Sequence, residues 1–84
     1  MEPGSLEEYE KWKKEISTLS FTKNFRGMLE YVKEESVDIF NASFSPSSIY
    51  NWQAGAYLPN FNTIRQMLKI FNFDSVYDIF PLYE

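Results

Sequence analysis

The sequence predicts an all-α fold, a small bundle of five to six helices, and three observations carry that expectation. Apolar residues recur at three- and four-residue steps through most of the chain, the repeat of a helix face rather than the alternation of a strand. Residues that start helices stand before those runs at Ser5, Thr22, Ser36, Ser45, Asn60 or Asn62, and Ser75. Gly55 and Pro81 stand where helices would stop, one through a positive φ and the other through a missing N–H.

In chain order, Ser5-Leu6-Glu7-Glu8 has the form of a capping box, in which Ser caps a helix and Glu reaches back three residues later. Leu6, Tyr9, Trp12 or Lys13, Ile16 and Leu19 make its apolar stripe, with Glu7, Glu8, Glu10, Lys11, Lys14 and Glu15 on the other face. That stripe is expected to cover the core, the alternative being a dimer or partner surface. Residues 1–20 are this amphipathic helix and its linker, and residues 21–84 hold the remaining helices of one compact unit.

The segment Ser17-Thr18-Leu19-Ser20 is expected to be a break, after which Thr22 caps a helix to about Glu35 with Phe25, Met28 or Leu29, and Val32 inward. Ser36 is expected to cap a short helix with Val37, Phe40 and Ala42 facing in, and Phe44 takes the apolar turn position after it. Ser45 then caps a helix with Pro46 at its first position, where a missing N–H costs nothing, and Gly55 ends it. Ile49 and Trp52 fall on one face of that helix, leaving Ser47, Ser48, Tyr50, Asn51 and Gln53 uncharged and polar elsewhere. After the loop Ala56-Tyr57-Leu58-Pro59, Phe61, Ile64, Met67 or Leu68, and Phe71 mark a further helix. Its N-terminal amides would cradle a phosphate. Ser75-Val76-Tyr77-Asp78 opens a last brief helix, from which Val76, Ile79 and Phe80 close the core.

Composition narrows the chemistry. Aromatic residues make up 19% of the chain, so Phe, Tyr and Trp supply much of the core volume and leave some rings for a partner. With neither cysteine nor histidine, a disulfide framework, a thiolate metal site and the commonest general base are all missing. The carboxylates form no recognisable acid–base pair, and no glycine loop could hold a phosphate. The sequence therefore predicts no catalytic residue, no cofactor and no metal. No apolar run is long enough for a bilayer, so a cytoplasmic protein without a membrane partner is expected. The net charge of −4 opposes non-specific binding to nucleic acid. No Lys or Arg lies between Glu34 and Ile64, and the acids there are confined to Glu34, Glu35 and Asp38, so the surface of the Ser45 helix is nearly neutral.

The run Ser45-Pro46-Ser47-Ser48-Ile49-Tyr50-Asn51-Trp52-Gln53-Ala54-Gly55-Ala56-Tyr57-Leu58-Pro59-Asn60 resembles the recognition helix and following loop of the Cro and phage-repressor (XRE-type) helix-turn-helix family. Its Ile-x-x-Trp, Gly and Pro landmarks carry the likeness, and Ile64, Met67, Leu68, Phe71 and Phe73 through Phe80 resemble the family's last two helices. The resemblance spans roughly Phe25 to Phe80 and lacks the Gln that commonly opens the family's positioning helix. It implies a lambda-repressor-like helix-turn-helix core over residues 21–84, an extra N-terminal helix, and sequence-specific binding to double-stranded DNA by a transcription regulator.

By that resemblance Ser47, Ser48, Tyr50 and Asn51 would be the base-reading residues, with the Asn51 amide suited to adenine. Lys23, Arg26, Tyr57, Asn60 and Asn62 would be the candidate phosphate contacts, although Lys23 and Arg26 are equally readable as solvated surface charge. Trp52, Ile49, Leu58 and Ile64 are assigned to packing, and a Lys33–Gln53 hydrogen bond would replace the buried ion pair that many family members use. A homodimer would bring two half-sites about one DNA turn apart. The alternative is a protein-interaction module or antitoxin-like partner that keeps the fold, with Tyr50, Tyr57 and Tyr83 exposed for a protein partner.

Overall fold

Five of the six helices begin where a side chain accepts from a free amide, and those choices set the architecture. The computed structural model describes residues 5–82 and contains six helices: α1 (Leu6–Glu15), α2 (Thr18–Tyr31), α3 (Glu34–Ser43), α4 (Pro46–Ala54), α5 (Phe61–Phe71) and α6 (Val76–Ile79). The expected all-α bundle is what forms, and among the described residues there is no strand. No described helix is long and apolar enough to cross a membrane. Tyr83 lies outside the described residues.

Two boundaries differ from the sequence reading. Ser17, rather than Thr22, caps α2: its extended backbone lets Oγ accept from the Ser20 amide at 3.0 Å, so the first serine of the run takes the cap and the break shrinks to Ile16 and Ser17. Helix α2 consequently starts earlier, Thr22 is internal, and Leu19 turns outward to 81% exposure. The chain straightens at Val32 and Lys33, so α2 ends at Tyr31 and α3 starts at Glu34 with Lys33, not Ser36, at its cap position. Lys33 offers no capping side chain, and Glu34 and Glu35 stabilise that first turn through the helix dipole instead. Phe40 is buried as expected and Val37 half-buried, but Ala42 is exposed.

Glu8 departs furthest from its expected place. The Ser5 hydroxyl accepts from the Glu8 amide at 3.2 Å, as a capping box requires. The Glu8 carboxylate, assigned to the solvent face, is buried and caps α6 instead. Its Oε1 accepts from the Ser75 hydroxyl and the Val76 amide, both at 3.0 Å. The carboxylate satisfies the first amide of this four-residue helix from outside, while the helix's own Ser75 hydroxyl accepts from the Tyr77 amide at 3.1 Å.

The core is an aromatic chain. Phe25 packs on Phe21 at 5.6 Å, Phe40 at 5.7 Å, Phe80 at 6.2 Å and Trp52 at 6.4 Å between ring centroids, joining α2, α3, α4 and the end of α6. Helix α1 adds Tyr9, Trp12 and Ile16 to the same cluster, while Leu6 remains half-exposed. The Trp12 indole N–H donates to the Phe80 carbonyl at 3.1 Å and the Tyr9 hydroxyl to the Pro59 carbonyl at 3.0 Å. Through these bonds α1 anchors both the C-terminal turn and the loop that joins α4 to α5. Helix α2 lies against α4 and α3 against α5, so α4 is held from beneath with one face outward.

Candidate nucleic-acid interface

Helix α4 contains no Asp, Glu, Lys, Arg or His and is bounded as its residues dictate. The Ser45 hydroxyl accepts from the Ser48 amide at 3.2 Å, Pro46 fills the first position, and Gly55 turns the chain at φ 76°. Trp52 is 4% exposed, with its ring edge-on to Phe44 at 5.4 Å and to Phe25 at 6.4 Å, and Ile49 packs half-buried beside the core. The helix cannot roll without pulling Trp52 out of that cage.

Ser47, Tyr50 and Asn51 follow at three- and four-residue spacing and share one outward face. Ser47 is exposed, Tyr50 is 69% exposed and Asn51 is half-buried. Ser48 stands apart from them. It lies toward Trp52 in the helical repeat, and its Oγ accepts from the Ser45 hydroxyl at 3.0 Å, so part of its bonding capacity is used within the cap.

The Asn51 amide donates from Nδ2 to the Tyr57 hydroxyl at 3.3 Å. This contact follows from the turn at Gly55. The Gly55 amide bonds the Trp52 carbonyl and the Ala56 amide reaches the Asn51 carbonyl at 2.9 Å, folding the loop back along the last turn of α4. Tyr57 is therefore a neighbour of Asn51, a relationship that the sequence separation of these residues across a helix end concealed.

The five candidate phosphate residues do not form one set. Arg26 donates from Nη2 to the Gln53 carbonyl at 3.2 Å, placing a cation against the C-terminal carbonyls of α4, where the helix dipole favours it. It borders an open hollow of about 560 Å³ together with Glu30 and Tyr50, so one cation and one acid lie beside the outward face. This bond replaces the expected Lys33–Gln53 contact, because Lys33 is exposed at the start of α3. Lys23 instead borders a hollow walled by Tyr31, Phe73, Asp78 and Pro81, where no α4 residue is found. The Asn60 side chain accepts from the Thr63 amide at 2.9 Å as the cap of α5, deciding between Asn60 and Asn62, and Asn62 is exposed within the first turn.

Electrostatically, the outward face of α4 is neutral, and the exposed Glu34 and Glu35 carry negative charge at the start of α3. Among the described residues no group of three His, Cys, Asp or Glu side chains gathers to hold a metal ion. The arrangement can hydrogen-bond a ligand through the Asn51 amide, the Ser47 and Ser48 hydroxyls and the Tyr50 phenol. Compared with models of known families, with curated proteins and with solved structures, the chain matches none of them.

Proposed function

We propose that this chain is a sequence-specific DNA-binding regulator of the Cro and phage-repressor type, acting in the cytoplasm without catalysis or cofactor. Helices α3 and α4 form its helix-turn-helix, and α4 enters the major groove. The observation that carries the reading is the outward face of α4, where Ser47, Tyr50 and Asn51 stand together on a helix locked by the buried Trp52. Asn51 pairs with adenine through its amide, Ser47 accepts several bases, and Tyr50 meets a thymine methyl or a phosphate. Arg26 beside Tyr50 and the N-terminal amides of α5 hold the backbone. With so little positive charge, useful affinity comes from a homodimer on two half-sites.

A second reading is a protein-interaction module built on the same fold, and a specific feature favours it. Leu19, Tyr31 and Tyr50 are 81%, 85% and 69% exposed on a chain of net charge −4, which is material for an anchor residue at a protein interface. Selection of bound sequences from a random duplex pool, at low and moderate salt, separates the two. An enriched palindrome or direct repeat is the expected result, and its half-site spacing reports the dimer geometry. Absence of enrichment by the folded protein at low salt would reject DNA reading and favour the protein partner.

A further inference from the structure

Apart from Asn62, already a candidate phosphate contact, the outer face of α5 takes no part in the site described above. Asn62, Arg65, Gln66 and Lys69 succeed one another at three- and four-residue steps, are all exposed, and line one shallow hollow of about 270 Å³. The Arg65 guanidinium lies over the Phe61 ring at 5.6 Å, and Phe61 packs against Tyr9 at 5.6 Å between centroids. Lys13 from α1 lies over that same Tyr9 ring at 5.9 Å. Two cations thus lie over a pair of mutually tilted rings bridging α1 and α5, which restricts their motion before any partner arrives.

The charges here are not balanced locally. Among the described residues neither Arg65 nor Lys69 has an acidic partner. The chain carries 12 acids, yet residues 39–73 contain none. That acid-free stretch takes in the second half of α3, all of α4, the connecting loop and all of α5. The α5 face opens at Asn62, which follows in sequence the loop in which Tyr57 touches Asn51 at the end of α4.

We infer that the outer face of α5 is a phosphate-backbone contact surface for duplex DNA, with Arg65 and Lys69 supplying the charge and Asn62 and Gln66 the neutral hydrogen bonds. Arginine matches a phosphate with two parallel N–H donors and lysine with a point charge, while the amides add donors without repulsion. The inference takes its partner from the proposed role of α4 and supplies the charge that α4 lacks. It needs no base contact, so it holds for any duplex sequence.

The test is fluorescence anisotropy of the purified full chain on a selected duplex and an unrelated one, between about 50 and 200 mM salt. The Arg65→Ala/Lys69→Ala double variant is expected to flatten the plot of log affinity against log salt by about 1.8, equally on both duplexes. Lys69→Ala alone touches no ring and should flatten it by about 0.9, whereas Arg65→Lys/Lys69→Arg should keep the wild-type slope. Melting followed by circular dichroism confirms that each variant is folded. Specific binding with an unchanged slope in the folded variants overturns this inference and leaves α4 as the reader. Binding without sequence preference, but with the slope lost on substitution, upholds the α5 surface and overturns base reading. No duplex binding by the wild type overturns both. Retention on polyglutamate that exceeds retention on duplex, and that the double variant loses, assigns the surface to an acidic protein and overturns the nucleic-acid partner.

Discussion

The amide nitrogen of Asn51 donates to the hydroxyl of Tyr57 across the end of α4, at 3.3 Å. One amide hydrogen is used, leaving the second hydrogen and Oδ1, the donor and acceptor that a two-point contact with adenine needs. The Tyr57 oxygen accepts this bond and its own O–H stays free to donate, so Tyr57 can orient the Asn51 amide that is proposed to read a base. Tyr57→Phe is expected to fold normally, since Tyr57 is 48% exposed, and to lose about 0.5–1.5 kcal/mol of discrimination at the base that Asn51 reads. Asn51→Ala should lose about 1–3 kcal/mol at the same base. Dissociation constants for the selected duplex and its single-base variants check both, and a Tyr57→Phe protein with wild-type preferences would remove Tyr57 from the reading surface.

Gly55 makes that contact geometrically available. At φ 76° an L side chain is strained, and a Cβ built there falls 2.9 Å from the Thr22 hydroxyl on the neighbouring α2. Gly55→Ala should cost at least about 1–2 kcal/mol and shift the loop that carries Tyr57. Gly27 is the internal control. It is exposed within α2 and a Cβ there meets nothing within 4 Å, so Gly27→Ala should stabilise by about 0.5–1 kcal/mol. Urea unfolding of the two variants should move in opposite directions.

These positions also mark how far the sequence could be read. Ser45, Pro46 and Gly55 act through their immediate neighbours, so the bounds of α4 were legible from residue type alone. So was the burial of Trp52 and Phe80, which follows from helical spacing. The start of α2 was less so, because Ser17, Ser20 and Thr22 are all competent caps and only packing of Phe21 and Phe25 chooses the register. Glu8 was illegible: its partners, Ser75 and Val76, lie at the far end of the chain, and nothing in the pattern of α1 tells a buried carboxylate from a solvated one. In the candidate site, Ser47, Ser48, Tyr50 and Asn51 were read as one set, and the structure sets Ser48 apart because its hydroxyl is engaged by the Ser45 cap. The separation of Lys23 from Arg26 was not legible, since it depends on which neighbour each side of α2 meets.

The two tryptophans are buried to a similar degree but satisfied differently. Trp12 donates its indole N–H to the Phe80 carbonyl, whereas the indole nitrogen of Trp52 is buried among Phe25, Phe40 and Phe44 without a partner. Trp12→Phe removes a bond and leaves a buried carbonyl unpaired, while Trp52→Phe removes a group that already lacks its bond. The former should therefore cost about 1–3 kcal/mol more than the latter. Trp52→Ala should cost about 3–5 kcal/mol, and Ser47→Ala should stay within about 0.5 kcal/mol of wild type, because only the first opens a core cavity. Chemical denaturation measures all four. Equal destabilisation by Trp52→Ala and Ser47→Ala would abolish the distinction between the packing and outward faces of α4.

Stability should also fail at high pH, with tyrosine as the cause. Burial raises the pKa of Tyr9 above the ordinary 10.0, and burial followed by the charges of Glu15 and Glu8 raises that of Tyr77. Both phenols thus keep their protons in the folded chain at a pH where the unfolded chain loses them. Their contribution is complete below pH 10 and declines as the pH rises through the folded values, since the folded state then binds more protons than the unfolded one. Tyr9→Phe should be less stable than wild type near pH 8 by about 1 kcal/mol, because the bond from its hydroxyl to the Pro59 carbonyl is lost. Above pH 10 its stability should decline less steeply, as one of the two resisting phenols is gone. Urea unfolding at a series of pH values from about 8 to 11 measures both effects, spanning the phenol range. Parallel curves for the two proteins would show that Tyr9 is not a source of the alkaline instability.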